Sequence, residues 1–149
     1  MQRHHLLPRQ LLGRRGLRAF FDLLTPCRLG FDDFRRNGLL LPCSERAVRL
    51  WRLPLHRGPH HAYNAMVEER VGQIEGQWQR ERLRSPAGAD ADVLMRIEYL
   101  QRALRRRLLD SARRPVMLNT RDPLGAGLDF GELDAMAETL WRASCPSSD

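Results

Sequence analysis

The chain gathers its five histidines into two short groups. His4 and His5 stand together in "HHLLPRQ", and His56, His60 and His61 fall within "LPLHRGPHHAYN". Imidazole suits zinc, nickel and other first-row divalent ions, and in its neutral form it accepts a proton near pH 7. His56 and His60 are four apart, a spacing that shares a face on a helix. Gly58-Pro59 intervenes, so the expected geometry sets His56 at a strand end and His60 in the first turn of a helix. Two ligands make a poor site, and His4 or His5 is the available third. Adjacent histidines point different ways, so one can bind metal while its neighbour does separate work. A catalytic ion keeps an open position, and a neutral histidine beside it can take a proton from water. An HxxxH pair alone is most often a surface or capping feature. The confinement of every histidine to two groups, with Asn37 between them, is what points to a joint metal site.

The elements that must position these groups are read from turn signals and periodicity. Asn37-Gly38 signals a turn, and Leu39–Leu41 is a short apolar run that fits a strand. "AVRLWRLPLHRG" supplies a returning strand through Val48, Leu50, and Leu53 or Leu55, with Pro54 confining it to an edge or an end. Together these predict a small hairpin or two irregular strands. Residues 1–37 read as irregular, with a short helix within 9–24. Pro59 suits a first helical turn, and Tyr63, Val67, Val71, Ile74 and Trp78 form one apolar stripe on a helix of 59–83. "SPAGAD" breaks it. A second helix runs over 90–112, with its stripe on Val93, Ile97, Leu100, Leu104 and Leu108, and Pro115 marks its end. "VMLNTRDPLGAGL" reads as a loop, and Asp129-x-x-Glu132 as a capping box for a last helix through Leu140.

Composition narrows the class. The chain of 149 residues is long enough for one domain with its own core. No apolar run approaches the roughly 20 residues of a membrane-spanning helix, so no membrane partner is expected. The first 21 residues lack Asp and Glu, but they carry the histidine pair and Pro8 interrupts any continuous amphipathic helix there, so a transit peptide is not expected. Nor is a secretory signal, because the apolar stretches are short and broken by arginine. Cys27, Cys43 and Cys145 are an odd, widely spaced set without a CxxC pair, read as free, partly buried thiols with a Cys27–Cys43 bridge as the alternative. The net charge is +7, and all 25 basic residues are arginine. The guanidinium fork matches phosphate, and a basic excess favours polyanions, nucleic acid first.

Three stretches, "RHHLLPRQ" (3–10), "FDDFRRNGLLLPCSE" (31–45) and "LHRGPHHAYNAMVEERVGQI" (55–74), resemble in order and spacing the AHH family of bacterial toxin nucleases, within the HNH/endonuclease VII superfamily. Arg3 stands where that family has Ala or Gly before the pair. The resemblance implies an α+β fold, mostly helical, built on a treble-clef-like ββα-metal finger with additional α-helices. Residues 1–83 would form the nuclease core and 84–149 a helical extension packed on it. It assigns His4, His56 and His60 to one divalent ion (Mg, Zn or Ni), His5 to general base, and Asn37 to orienting that base or its loop. Arg57 would clamp the phosphate. His61, Tyr63 and Asn64 belong to the same pattern, with Tyr63 read foremost as core and His61 as solvated.

The implied reaction is metal-dependent hydrolysis of phosphodiesters with little sequence preference, DNA being the expected substrate, leaving 5′-phosphate and 3′-hydroxyl ends. Arg3, Arg9, Arg14, Arg15, Arg35 and Arg36 would line the groove. An immunity protein is an implied partner, and the expected location is the cytoplasm or a target cell reached by specialised delivery. Two other readings stay open. One is a non-enzymatic nucleic-acid-binding module held by structural zinc, which would show a fourth protein ligand. The other is a helical interaction protein with incidental histidines, which would hold no metal.

Overall fold

The computed structural model describes residues 1–110 together with Leu118 and Asn119. The chain opens in a strand, β1 (Gln2–His5), where the sequence predicts irregular structure. It pairs antiparallel with β2 (Gly38–Leu41), in a register that sets Gln2 opposite Leu41 and His5 opposite Gly38. Two short 3₁₀ turns and helix α1 (Arg18–Leu24) follow β1, and a four-residue helix, α2 (Phe34–Asn37), runs directly into β2. Asp33 caps α2 by accepting from the Arg35 amide. Gly38 is required by packing: any Cβ there would lie 2.0 Å from the Phe34 ring.

The predicted returning strand is a helix instead. Glu45–Trp51 forms α3, started by Ser44, whose hydroxyl accepts from the Ala47 amide, and ended by Arg52 in the left-handed conformation at φ 52°. Val48 and Leu50 mimic alternation over too few residues to outweigh a capping serine and a run of helix-forming residues. None of the α3 residues is buried. The strand that follows, β3, is only His56–Arg57, and its partner is the parallel β4 (Leu118–Asn119), inside a stretch predicted as loop. One backbone bond, from the His56 amide to the Pro42 carbonyl, ties β3 back to the end of β2. The expected hairpin is therefore replaced by β1–β2 and β3–β4 pairs.

Helices α4 (His61–Arg82) and α5 (Pro86–Leu109) pack together and supply about half of the buried apolar residues. The predicted stripe on α4 is buried at Tyr63, Val67, Val71 and Trp78 and half-buried at Ile74. Every stripe residue of α5 is buried. "SPAGAD" ends α4 as predicted, but Pro86 begins α5 four residues earlier than expected, at the first helical position where its missing N–H costs nothing. Trp78 donates to Asp90 across the junction at 2.8 Å. Leu6, Leu7, Leu11, Leu17, Phe20, Phe21, Leu24, Leu29, Phe31, Leu41 and Leu118 supply the core outside these two helices. Cys27 and Cys43 are free thiols, so the alternative bridge is not formed. The predicted helix after Asp129 lies outside the described residues, as does Cys145. No described helix is long and apolar enough to cross a membrane.

Candidate metal centre

Strand alternation turns neighbouring side chains of β1 to opposite faces. His4 faces inward at 1% exposure. Its ring meets those of His56 and His60 at centroid distances of 5.0 Å each, and that of Tyr63 at 4.8 Å. β3 delivers His56, and His60 stands at the residue just before α4, its side chain free of any capping bond. One nitrogen from each of His4, His56 and His60 lies within 4.8 Å of the others. Among the described residues no other Cys, Asp or Glu joins this group.

The arrangement fits a cation. Neither ring nitrogen of His4 has a hydrogen-bond partner among the described residues, although a buried polar group left unpaired costs about 1–3 kcal/mol. Two carboxamide oxygens select the tautomers of the other rings. His56 Nδ1 faces Gln2 Oε1 at 3.1 Å, and His60 Nδ1 faces Asn64 Oδ1 at 2.9 Å. An amide oxygen only accepts, so both Nδ1 atoms carry hydrogen and both Nε2 atoms offer lone pairs. These Nε2 atoms meet at 3.2 Å. Two lone pairs facing each other need a proton or a cation between them, and two nitrogens of a tetrahedral zinc site lie roughly 3.3–3.4 Å apart.

The electrostatics agree. Burial, then His60, His56 and His5, push His4 down to about 3. Burial and His60 lower His56. Burial lowers His60, with the Asn64 bond opposing. The rings are held neutral, the form that binds metal.

His5 lies on the other face of β1, half-buried, with the Phe34 ring 6.4 Å away. Partial burial, followed by Arg9 and Arg3, lowers its pKa. Asn37 is fully buried, and its bonds go to backbone and to Gln101 rather than to His5. Oδ1 accepts from the Leu7 amide at 2.7 Å, and Nδ2 donates to the Leu7 and Phe31 carbonyls. Its own carbonyl accepts from the Leu6 amide. Asn37 thus clamps the two residues that follow the histidine pair. Tyr63 Oη donates to the Leu6 carbonyl at 2.8 Å from a fully buried position, a core residue that also fixes that loop. Arg57 and His61 are exposed.

Sequence reasoning passed over Gln2 and left Asn64 without a definite role. Both carried a signal. Gln2 is two residues before His4, on the same strand face, and Asn64 is one helical turn after His60.

Neither a curated protein nor a solved structure matches the chain. A family model does match, over residues 1–104, reaching past the resemblance in residues 3–74 to include most of α5. With its paired histidines on β1 and that match over most of its length, the chain belongs to the AHH family, a nuclease family of the HNH/ENDO VII superfamily with conserved AHH.

Proposed function

We propose that the protein is a metal-dependent endonuclease of low sequence preference, acting on DNA, with one divalent ion held by His4, His56 and His60. The observation that carries this is a buried, unpartnered His4 facing two imidazoles whose tautomers are set by Gln2 and Asn64. Three ligands with no fourth among the described residues favour an open, catalytic site over structural zinc. We read the β1–β2 pair, β3 and the start of α4 as this chain's version of the ββα-metal finger. The toxin or effector role, the immunity partner and action in the cytoplasm or in a target cell are extensions of the same proposal.

His4, His56 and His60 would hold a divalent ion, which would supply charge stabilisation to the phosphate undergoing hydrolysis. His5, neutral near pH 7, takes the proton of the attacking water. Asn37 and Tyr63 hold Leu6 and Leu7, and so keep His5 at a constant place along the strand. Arg57, exposed beside His56, binds the phosphate through charge-assisted hydrogen bonds.

The test is incubation of supercoiled plasmid with Mg²⁺, Ni²⁺ or Zn²⁺, with and without chelator. Wild type should nick and linearise the plasmid only with metal. His60→Ala should lose metal and cleavage together, and His5→Ala should lose cleavage while keeping metal. Cleavage that persists in chelator, or full activity of His5→Ala, overturns the assignment.

A further inference from the structure

A second basic site lies behind the Asn37 clamp. A cavity of about 240 Å³ is lined by Arg35 and Arg36 of α2 and by Glu98, Gln101, Arg102 and Arg105 of α5. Four guanidinium groups therefore share one concave surface with a single carboxylate. Glu98 is bonded to Arg102 at 2.5 Å. Arg35, Arg36 and Arg105 have no carboxylate within ion-pair distance among the described residues. Like charges held together in a concavity disfavour the empty state and favour an anion, and the guanidinium fork matches phosphate oxygens.

The cavity is built rather than assembled from loose surface arginines. Arg105 Nη2 donates to the Arg35 carbonyl at 2.7 Å and to the Arg36 carbonyl at 3.3 Å, which fixes α2 against α5. The Arg36 side chain lies over Gly30. A Cβ there would come within 3.0 Å of Arg36 Nε, and φ at Gly30 is +74°. Gln101, 2% exposed, donates to the Leu29 carbonyl at 3.3 Å and to Asn37 Oδ1 at 3.5 Å. The cavity is therefore joined through Asn37 to the strand that carries the histidines, and Arg36 is two residues from Gly38, the register partner of His5.

We infer that this cavity is a second phosphate subsite, which grips the nucleic-acid backbone at a phosphate other than the one cleaved. The inference rests on the nuclease reading for its ligand class. It gives α5, read from sequence as scaffold, a direct part in substrate binding. Contacts to the backbone add affinity without sequence information.

The experiment measures binding of a fluorescent 20-base-pair duplex to the full chain in chelator, over a salt series, so that no cleavage occurs. The variants are Arg35→Gln/Arg36→Gln and Arg102→Gln, all at exposed side chains. The control is Arg84→Gln, in the turn before α5, whose first residue Pro86 is about 24 Å from Arg102 along the helix at 1.5 Å per residue. Each lost phosphate contact lowers the slope of log affinity against log salt by about 0.9. The double variant should therefore have a slope shallower by about 1.8 and bind at least tenfold more weakly at low salt. Arg84→Gln should stay within twofold of wild type, and metal uptake should be unchanged in every variant.

Pocket variants that match the control, a weakened affinity with an unchanged salt slope, or a wild type that does not bind the duplex would each overturn the subsite. Pocket-dependent binding without hydrolysis in any metal would remove the nuclease reading and leave the subsite standing. Hydrolysis with pocket variants that bind as wild type would do the reverse.

Discussion

Replacing His4 by leucine should stabilise the metal-free protein and destabilise the metal-loaded one. His4 is 1% exposed, and both of its ring nitrogens lack partners among the described residues. Leucine removes those unpaired groups, worth about 1–3 kcal/mol each. Imperfect repacking against Tyr63, His56 and His60 offsets less than about 1.5 kcal/mol. A net gain of about 2 kcal/mol corresponds to a melting temperature higher by about 4–8 °C in a chain of this size.

Adding metal inverts the order. Free ion at a thousand times its dissociation constant stabilises wild type by about 4 kcal/mol, and the leucine variant, with two ligands left, forgoes most of that. Acid widens the gap in chelator. Burial holds His4 at about 3 in the folded state against 6.5 in the unfolded chain, so the unfolded state binds the extra proton below 6.5 and wild type loses stability from there down to about 3. At pH 5 the difference contributes a further 2 kcal/mol or so, at about 1.36 kcal/mol per pH unit. The assay is thermal unfolding of both proteins at pH 7.5 and pH 5, with chelator and with Zn²⁺ or Ni²⁺. A wild type more stable than His4→Leu in chelator, or a melting temperature that ignores metal, would refute the reasoning.

Other outcomes follow from the same geometry. His5→Ala should cut the cleavage rate by about 10²–10⁴-fold with metal content unchanged, measured by plasmid nicking and elemental analysis. Gln2→Ala and Asn64→Ala, which release the tautomers of His56 and His60, should each weaken metal binding about 10–100-fold, as read by competition with a chromogenic chelator. Asn37→Ala should destabilise the fold by about 3–5 kcal/mol in urea unfolding, because the Leu7 amide and carbonyl are left buried and unpaired.

The clustering of histidine pointed to a joint metal site of His56, His60 and one of the adjacent pair His4 and His5, because ligand chemistry depends on residue type; the family resemblance alone singled out His4. Helices α4 and α5 were legible for a related reason: an apolar stripe at helical period has only one way to bury itself. The stretch after Ser44 misled, since three alternating apolar residues cannot be told from one exposed helical turn and a half. Pairing partners were also beyond sequence reach. Gln2–His5 joins Gly38–Leu41 across more than thirty residues, and His56–Arg57 joins Leu118–Asn119 across sixty, and no local pattern encodes a choice among distant edges. Which of two adjacent histidines faces inward was decided by that pairing. Asn64 meets His60 within one helical turn, but the Gln2 oxygen at His56 and the meeting of Arg105 with α2 were decided by the tertiary structure, because each joins groups far apart in the chain that only packing brings within hydrogen-bonding distance.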